Sequence, residues 1–370
     1  MTRPHENLAP RPGRRPHSSS PGAPRPAATV APSAGPAGVA PAAVAAAPAA
    51  AARPAHRRRR PAGPWRRGRT PAALALLTAL ALAGHRKVPG LGVNLGSLWE
   101  SALPWAGLVV PAVLLAAAVR RAPAPACAAL VPAVVWAAVF GPLLLGGGPA
   151  PGGGAGLTVV THNVSAENPD PDGTARSLLA AHPDLIALEE VTDAALPAYQ
   201  RVLDPELPHH ARTGTVALWS RYPVTDSRRL TIDPGWSRSL RAEVQGPGGP
   251  LAVYVVHLAS VRLTVSGFAT GHRNRNLAAL GQALDEEPLR RVLLLGDLNT
   301  AAGDRELGPL TSRLSSAQDT AGDGFGFTWP SAFPLARIDH VMTRDLPATA
   351  AWTLPATASD HRPAAARLKA

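Results

Sequence analysis

The chain has 370 residues, of which 41 are Pro and 34 are Gly, and it carries a formal net charge of +12. Its single Cys excludes an internal disulfide framework and a zinc site built from cysteines. Residues 156–370 hold 20 Lys and Arg against 23 Asp and Glu, a net charge of −3. The basic character therefore belongs to the N-terminal part, and it does not indicate nucleic-acid binding by the chain as a whole.

The first part of the chain has the composition of a tail followed by a membrane region. Residues 1–70 are rich in Pro, Ala and Arg, which predicts disorder because too little apolar surface is available to offset the entropy of ordering. Apolar stretches then predict a membrane region over 71–145, with three helices over about 71–88, 102–119 and 123–145. The alternative is a set of buried core helices in a soluble protein.

Basic residues indicate how such helices would be oriented. Arginines crowd residues 57–69, before the first apolar stretch, and Arg120 and Arg121 separate the second stretch from the third. Cytoplasmic loops are enriched in Lys and Arg, so three spans would place the rest of the chain outside the cytoplasm. The first stretch is short for a span, and if it does not cross, two helices would return the C-terminal part to the cytoplasm.

The C-terminal part reads as one globular domain. Residues 146–156 are rich in Gly and predict a flexible linker, and 157–370 suit a single domain. Apolar runs of strand length alternate with amphipathic segments such as 273–284, which predicts an α/β fold.

Polar side chains follow many of the apolar runs. One such residue is an ordinary turn or cap, but the repetition indicates a site at the strand ends. The residues are Asn163, Glu189, Glu190, His257, Asp297, Asn299, Asp339, Asp360 and His361. Carboxylate and amide oxygens suit Mg²⁺, and a His paired with a carboxylate suits general base catalysis. The combination points to metal-assisted hydrolysis of a phosphate ester.

The order of short motifs also resembles a known family. The motifs are Asn163, DLIALEEV (184–191), GTVALWSRYPV (214–224), VVHL (255–258), GDLN (296–299), TWP (328–330), RIDHV (337–341) and SDHRP (359–363). In this order they resemble the endonuclease/exonuclease/phosphatase superfamily from Leu157 to about Leu368. The resemblance implies a four-layer α/β sandwich, in which two sheets pack face to face with helices outside.

The resemblance also implies where a metal would bind. It implies a site formed by Glu190 as the principal ligand, Asn163 beside it and Asp360 as a further carboxylate. Mg²⁺ is the expected ion, with Mn²⁺ as the alternative.

Catalytic roles follow from the same resemblance. His257 and Asn299 are expected to contact phosphate oxygens, and Asp297 to position or activate the attacking water. His361 resembles the catalytic His, with Asp339 as its orienting partner. Whether Asp297 or the His361–Asp339 pair is the general base stays open at this point.

Three residues raise further questions. Glu189 stands where the family usually has Gln, and it could add a carboxylate beside the metal ligand. His340 stands where the family often has Tyr, and we expect it to be a tolerated neighbour of the site. Arg273 either faces phosphate or is solvated at the start of a helix.

These observations favour a membrane-anchored, divalent-metal-dependent phosphoesterase with its catalytic domain outside the cytoplasm. The substrate could be a lipid, a small molecule or a nucleic acid, although the net charge of −3 over 156–370 disfavours a nuclease that cuts duplexes. The alternatives are a membrane receptor or scaffold that keeps the fold without catalysis, and a nucleic-acid partner for the basic N-terminal arm. The sequence does not indicate an oligomeric state.

Overall fold

A computed structural model describes residues 68–87, 94–146, 156–233, 235, 237–264 and 267–370. The predicted disordered tail over 1–70 and the predicted linker over 146–156 lie almost wholly outside these residues.

Apolar helices form the first described part of the chain. They are α1 (Arg69–Ala83), α2 (Leu95–Ala102), α3 (Val109–Arg120) and α4 (Pro123–Leu145), with 3₁₀ turns at His85–Lys87 and Leu103–Leu108. Arg121 ends α3 with a φ of 47°, and Pro123 begins α4 at a position where its missing N–H costs nothing.

Two helical segments are long and apolar enough to cross a membrane, by length and composition. They are Gly96–Arg120, with 25 residues, and Pro123–Leu145, with 23 residues, while α1 is shorter. Only 22% and 17% of their apolar windows are buried inside the protein, whereas the core helix of a soluble protein is mostly buried. Most of the apolar surface of these two segments is therefore exposed.

The rest of the described chain alternates strands and helices. The strands are β1 (Gly156–Asn163), β2 (Leu185–Glu189), β3 (His209–Thr213), β4 (Val216–Ser220), β5 (Val224–Arg229), β6 (Ser239–Gly246), β7 (Gly249–His257), β8 (Arg262–Thr264), β9 (Gly267–Ala269), β10 (Val292–Asp297), β11 (Ser315–Ser316), β12 (Asp339–Arg344), β13 (Ala348–Thr353) and β14 (Ala364–Lys369). The helices are α5 (Pro171–Leu179), α6 (Leu196–Leu203), α7 (Gly271–Asp285), α8 (Gly308–Thr311) and α9 (Ala317–Ala321), with a 3₁₀ turn at Arg305–Leu307.

These strands build two six-stranded sheets, which confirms the predicted four-layer α/β sandwich. The strand orders are β13-β14-β1-β2-β4-β3 and β11-β12-β10-β7-β6-β5, and β8 pairs with β9 separately. Apolar side chains such as Val159, Val253 and Leu295 fill the space between the sheets. Helices α5 and α6 pack on the outer face of the first sheet, and α7 and α8 on that of the second.

Strand pairing brings the ends of β7, β10 and β12 together. His257 pairs in register with Asp297 along the parallel strands, and Asp297 pairs with Asp339 along the antiparallel ones. Side chains alternate between the two faces of a strand, so these residues share the face that Val253 and Leu295 direct into the core. The core face of the second sheet therefore becomes polar where its strands end.

Helix α2 is bound to the two-sheet part of the chain by buried polar contacts. The Ser97 hydroxyl donates to Oδ2 of Asp304 at 2.7 Å, and Nη1 of Arg273 donates to the same oxygen at 3.0 Å. Glu100, 1% exposed, accepts from Nε of Arg305 at 2.9 Å. Arg273 therefore fits neither of the roles considered from the sequence, because it is 1% exposed and paired with Asp304.

Candidate active site

Asn163, at the end of β1, connects the two sheets. Its Nδ2 donates to Oδ2 of Asp297 at 3.1 Å and to Oε1 of Glu190 at 3.3 Å. Its Oδ1 accepts from the backbone N–H of Ser165 at 3.1 Å, which fixes the orientation of the amide. Asn163 therefore presents N–H groups to the carboxylates, and its role as a metal ligand stays a prediction.

Glu190 directly follows β2 and turns its side chain into the cleft. Its φ of 66° lies in the left-handed region, where a non-Gly residue stores strain of about 1 to 3 kcal/mol and often marks a functional site. Oε2 accepts from the backbone N–H of Ala166 at 2.9 Å, and Oε1 lies 3.8 Å from Nε2 of His257. Partial burial opposes the charge of Glu190, but the Ala166 hydrogen bond and His257 outweigh it and lower its pKa.

Glu189 occupies a different environment from its neighbour. It is the last residue of β2, is fully buried, and accepts a hydrogen bond from Oγ1 of Thr161 at 3.0 Å. Burial, reinforced by the charge of Asp339, raises the pKa of Glu189 well above its usual range and favours the protonated form. The extra carboxylate thus lies between the sheets beneath the site, while Glu190 faces the cleft.

Asp297 lies at the centre of the site, at the end of β10. Its Oδ1 accepts from the backbone N–H of Asn299 at 2.8 Å, and its Oδ2 accepts from Nδ2 of Asn299 at 3.2 Å. Nδ2 of Asn299 also donates to the carbonyl of Leu258 at 3.0 Å. Burial and the charge of Asp339 raise the pKa of Asp297 to about 7. Asn299 therefore orients the Asp297 carboxylate in this geometry.

His257 ends β7 and is 3% exposed. Its Nε2 lies 3.7 Å from Oδ2 of Asp297 and 3.8 Å from Oε1 of Glu190. Burial, with a smaller effect of the Arg238 charge, lowers the pKa of His257 to about 4. The imidazole is therefore neutral at pH 7, with one ring nitrogen directed at the two carboxylates.

His361 and Asp339 form a buried pair. Nδ1 of His361 lies 2.9 Å from Oδ2 of Asp339, and Nε2 lies 3.9 Å from Oδ2 of Asp297. Burial opposes protonation of His361, but the charge and hydrogen bond of Asp339 outweigh it and raise the pKa of His361 to about 10. Burial likewise opposes the charge of Asp339, and the His361 charge outweighs it and lowers its pKa.

Ser359 holds the loop that carries His361. Its Oγ donates to the carbonyl of Asn163 at 2.6 Å and accepts from the backbone N–H of His361 at 3.1 Å. Asp360, between them, has an exposed side chain, and its backbone carbonyl accepts from the N–H of Ser331 at 2.7 Å. The structure therefore does not bring the Asp360 carboxylate into the buried cluster, and its metal role stays a prediction.

The donor set fits a divalent cation. Ligand atoms of Asp297, Asp339 and His361 lie within 4.8 Å of one another and could hold a metal ion. Oδ1 of Asp339 is buried and has no hydrogen-bond partner among the described residues, which leaves it available as a ligand. This trio differs from the predicted set of Asn163, Glu190 and Asp360. Asn163 donates to Asp297 of the trio, and Glu190 accepts from Asn163 and lies 3.8 Å from His257.

Arg238 is a residue of the site that the sequence interpretation missed. It directly precedes β6, is about half-buried, and its charge acts on Glu190, Asp297 and His257. Its backbone carbonyl accepts from the N–H of His257 at 2.9 Å. In the sequence Arg238 is an arginine directly before a strand, and this position becomes informative only when the pairing of β6 with β7 is known.

A model of the family described as Endonuclease/Exonuclease/phosphatase family matches residues 160–361. No curated protein matches the chain.

Solved structures of similar fold include three proteins of low identity. A mannosyl-6-phosphatase from Bacteroides thetaiotaomicron is 14% identical, covering 58% of this chain and 100% of its own, with a TM-score of 0.49. Beta toxin from Staphylococcus aureus is 16% identical, covering 57% and 99%, with a TM-score of 0.48. Sphingomyelinase C from Streptomyces griseocarneus is 19% identical, covering 58% and 100%, with a TM-score of 0.45.

The different positions of Glu189 and Glu190 generate a test of the metal site. We expect Glu190→Gln to weaken Mg²⁺ binding about tenfold or more, because it removes a carboxylate that faces the cleft. The matched Glu189→Gln should keep Mg²⁺ binding, because Glu189 lies beneath the site and is bonded to Thr161. The measurement is the rise in melting temperature on adding Mg²⁺ to the EDTA-treated protein. Loss of that rise in Glu189→Gln alone would show that the motif is shifted by one residue.

Proposed function

Because the chain belongs to the endonuclease/exonuclease/phosphatase family, we propose that it is a divalent-metal-dependent phosphoric ester hydrolase. The observation that carries the proposal is the convergence on Oδ2 of Asp297. Asn163 and Asn299 donate to this oxygen at 3.1 and 3.2 Å, and ring nitrogens of His257 and His361 lie 3.7 and 3.9 Å away. A buried carboxylate surrounded by two imidazoles and two amides is suited to proton transfer during hydrolysis.

Mg²⁺ is the proposed ion, with Mn²⁺ as the alternative. Glu190 offers a carboxylate that faces the cleft, and Asp339 offers a buried carboxylate oxygen without a hydrogen-bond partner among the described residues. Oxygen ligands of this kind suit a hard cation, which when bound would neutralise charge that develops on phosphate oxygens.

The pKa values of Asp297 and His361 indicate which side chain accepts a proton and which donates one during hydrolysis. A pKa of about 7 lets Asp297 accept a proton from the attacking water near neutral pH, so we assign it as the general base. A pKa of about 10 keeps His361 protonated, so its Nε2 can donate to the leaving oxygen when the phosphorus–oxygen bond breaks. Asp339 orients that imidazole and supports its charge.

Neutral His257 and the Arg238 guanidinium supply hydrogen bonds and positive charge beside the same cleft. Donors that are fixed before the reaction stabilise charge in the transition state without reorganising. We propose that they contact the non-bridging phosphate oxygens. In this assignment Asn299 acts through Asp297, whereas the family resemblance placed it on the phosphate.

We propose a membrane lipid phosphoester as the substrate class. Trp329, Phe333 and Leu335 are 41%, 67% and 37% exposed, and they form an apolar surface on the loop before β12. Ser331 in this loop donates through its Oγ to the carbonyl of Ser359, two residues before His361. Nε1 of Trp105, in the apolar helical region, donates to the carbonyl of Leu335 at 2.9 Å. The loop thus connects the active site to the apolar helices. A substrate with an apolar tail and a phosphoester head would need an apolar surface of this kind beside the active site.

A panel of phosphoesters tests the proposal. The full-length protein is assayed with a phospholipid, a soluble phosphodiester, a phosphomonoester and duplex DNA, each with Mg²⁺ and with EDTA. We expect Mg²⁺-dependent hydrolysis that is fastest with the phospholipid, and Asp297→Asn as the inactive control. Cleavage of DNA in preference would identify a nuclease, and no hydrolysis of any ester would favour a receptor or scaffold that keeps the fold.

The His361–Asp339 pair provides a second test. We expect His361→Ala to lower kcat by several orders of magnitude, because the proton donor is lost. Asp339→Asn should cost less, because the imidazole remains but loses its orientation and charge support. The double variant should be no slower than His361→Ala alone, since residues that act as one unit are not additive. Costs that multiply in the kcat of the double variant would instead indicate two independent roles.

We further propose that the helices span a membrane three times and place the catalytic domain outside the cytoplasm. The support is the two long, largely exposed apolar segments, the apolar α1, and the arginines at 57–69 and 120–121. Reporters that are active only in the cytoplasm or only outside it, fused after Leu145, test the orientation. The external reporter alone should be active. Activity of the cytoplasmic reporter alone would mean that α1 does not span.

A further inference from the structure

The basic ends of helices α1, α3 and α4 lie side by side. Arg69 begins α1, Arg120 ends α3, and Pro123 begins α4 after a short turn. Gly68, directly before α1, packs so closely on the ring of Pro125 that an added Cβ would lie 2.4 Å from its Cδ. The distance along each helix from these ends therefore measures height above one common level.

The two long helical segments contact one loop of the two-sheet part at similar heights. Trp105 precedes the end of α3 by 15 positions, and Leu143 follows the start of α4 by 20 positions. At 1.5 Å per residue these separations are about 22 and 30 Å. Nε1 of Trp105 donates to the carbonyl of Leu335 at 2.9 Å, and the N–H of Gly324 donates to the carbonyl of Leu143 at 2.8 Å. Residues 324–336 are therefore held at the height where a hydrocarbon core of about 30 Å ends.

This segment, residues 324–336, has no charged side chain and exposes apolar ones. Its sequence is GFGFTWPSAFPLA. Among the described residues of the two-sheet part, Trp329, Phe333 and Leu335 are the large apolar side chains with the greatest exposure. Aromatic side chains are enriched at the boundary between lipid and water, and clustered exposed apolar groups mark interaction surfaces. The composition of the segment therefore agrees with its height.

Aromatic contacts fix the first half of the segment on the helices. Phe327 stacks on Trp105 with ring centroids 5.6 Å apart, and Phe325 packs edge-on against Phe140 at 5.5 Å. Phe325 and Phe327 also stack on each other at 5.0 Å. The helices therefore set the height of the segment, while the side chain of Phe333 stays 67% exposed.

We propose that residues 324–336 insert into the membrane leaflet opposite the basic helix ends, with the side chain of Phe333 below the lipid phosphates. The partner of this apolar surface is the bilayer itself. The inference rests on the proposed membrane spans, because the height of the segment is measured along them. It does not rest on hydrolysis by the active site.

Insertion of this segment would set the active site at the membrane surface. Ser331, inside the segment, donates through Oγ to the carbonyl of Ser359, and its own carbonyl accepts from Nε of Arg362 at 2.7 Å. Ser359 and Arg362 lie on either side of His361 in the sequence. The segment that enters the lipid is therefore bonded to the loop that carries His361, and the cleft opens near the phosphates of the bilayer.

Spin labels on the full-length protein in phosphatidylcholine bilayers test the proposal. The chain has a single Cys, so Cys127→Ser gives a background without cysteine. Phe333→Cys places a label in the segment, and Ala332→Cys, at an exposed neighbouring position, repeats the measurement if Phe333→Cys does not fold. Collisions with O₂, which concentrates in lipid, and with a nickel chelate, which stays in water, give the depth of each label.

Two reference labels calibrate the depth. Val134→Cys, at an exposed position in the middle of α4, should lie about 15 Å inside the hydrocarbon core. Arg290→Cys, at an exposed position before β10 and opposite the end that carries Asp297, should lie in water. We expect the labels at 332 and 333 to lie about 5 to 10 Å below the phosphates, which is the depth of an interfacial apolar face.

The other outcomes separate this inference from the proposed spans and activity. Labels at 332 and 333 in water, with the Val134→Cys label in hydrocarbon, would overturn the insertion and leave the spans in place. A Val134→Cys label in water would overturn both. Few collisions with either reagent and dipolar broadening at 333 would assign the surface to a second copy of the chain. The inactive Asp297→Asn should give the same depths as the active protein.

Discussion

The hydrogen bond between Nδ2 of Asn163 and Oδ2 of Asp297 joins the ends of the two sheets, and the site depends on it. Along each strand the side chains that face the opposite sheet are apolar in the middle, as Val159 and Leu295 are, and they pack as a dry core. At the strand ends the same face carries Asn163 and Asp297. A buried polar group at the edge of a dry core needs a hydrogen-bond partner, which here lies on the opposite sheet. The hydrogen bond therefore aligns Asn163 with Asp297, which are 134 positions apart in the sequence.

Burial at this edge also separates the protonation states of neighbouring groups. Oδ2 of Asp297 and Nε2 of His361 lie 3.9 Å apart. Desolvation nevertheless raises the pKa of the Asp297 carboxyl to about 7, whereas Asp339 raises the pKa of the His361 imidazole to about 10. Burial, with the charge of Arg238, lowers the pKa of His257 to about 4, because its nearest carboxylates, 3.7 and 3.8 Å away, are beyond hydrogen-bond distance. Titratable groups whose environments push their pKa values apart can take opposite roles in acid–base catalysis. The assignment of Asp297 as base and His361 as acid follows from this difference.

Local periodicity predicted an α/β fold with polar strand ends, and the family resemblance of the short motifs implied the four-layer sandwich. The sequence could not predict contacts between distant segments. Arg273 looked like a phosphate or solvent residue, since nothing near it in the chain shows that Asp304 and Ser97 surround it. The sequence placed Glu189 beside the predicted metal ligand. In the structure Glu189 is the last residue of β2 and lies between the sheets, whereas Glu190 follows the strand and faces the cleft. Arg238 is brought next to His257 only by the pairing of β6 with β7, which its local sequence does not indicate.

The buried contacts of α2 make the helices part of the catalytic structure. Nη1 of Arg273 reaches the carbonyl of Asn299 at 3.4 Å while it pairs with Asp304, and Asp304 also accepts from Ser97. A buried ion pair is stabilising only when its remaining hydrogen-bonding groups are satisfied, and α2 supplies one of these groups. Removing the helices would expose the Arg273–Asp304 pair to water. This pair contacts the loop that follows Asp297 and Asn299. The geometry of the proposed general base therefore depends on a segment outside the family domain, so the proposed activity should be measured on the full-length protein.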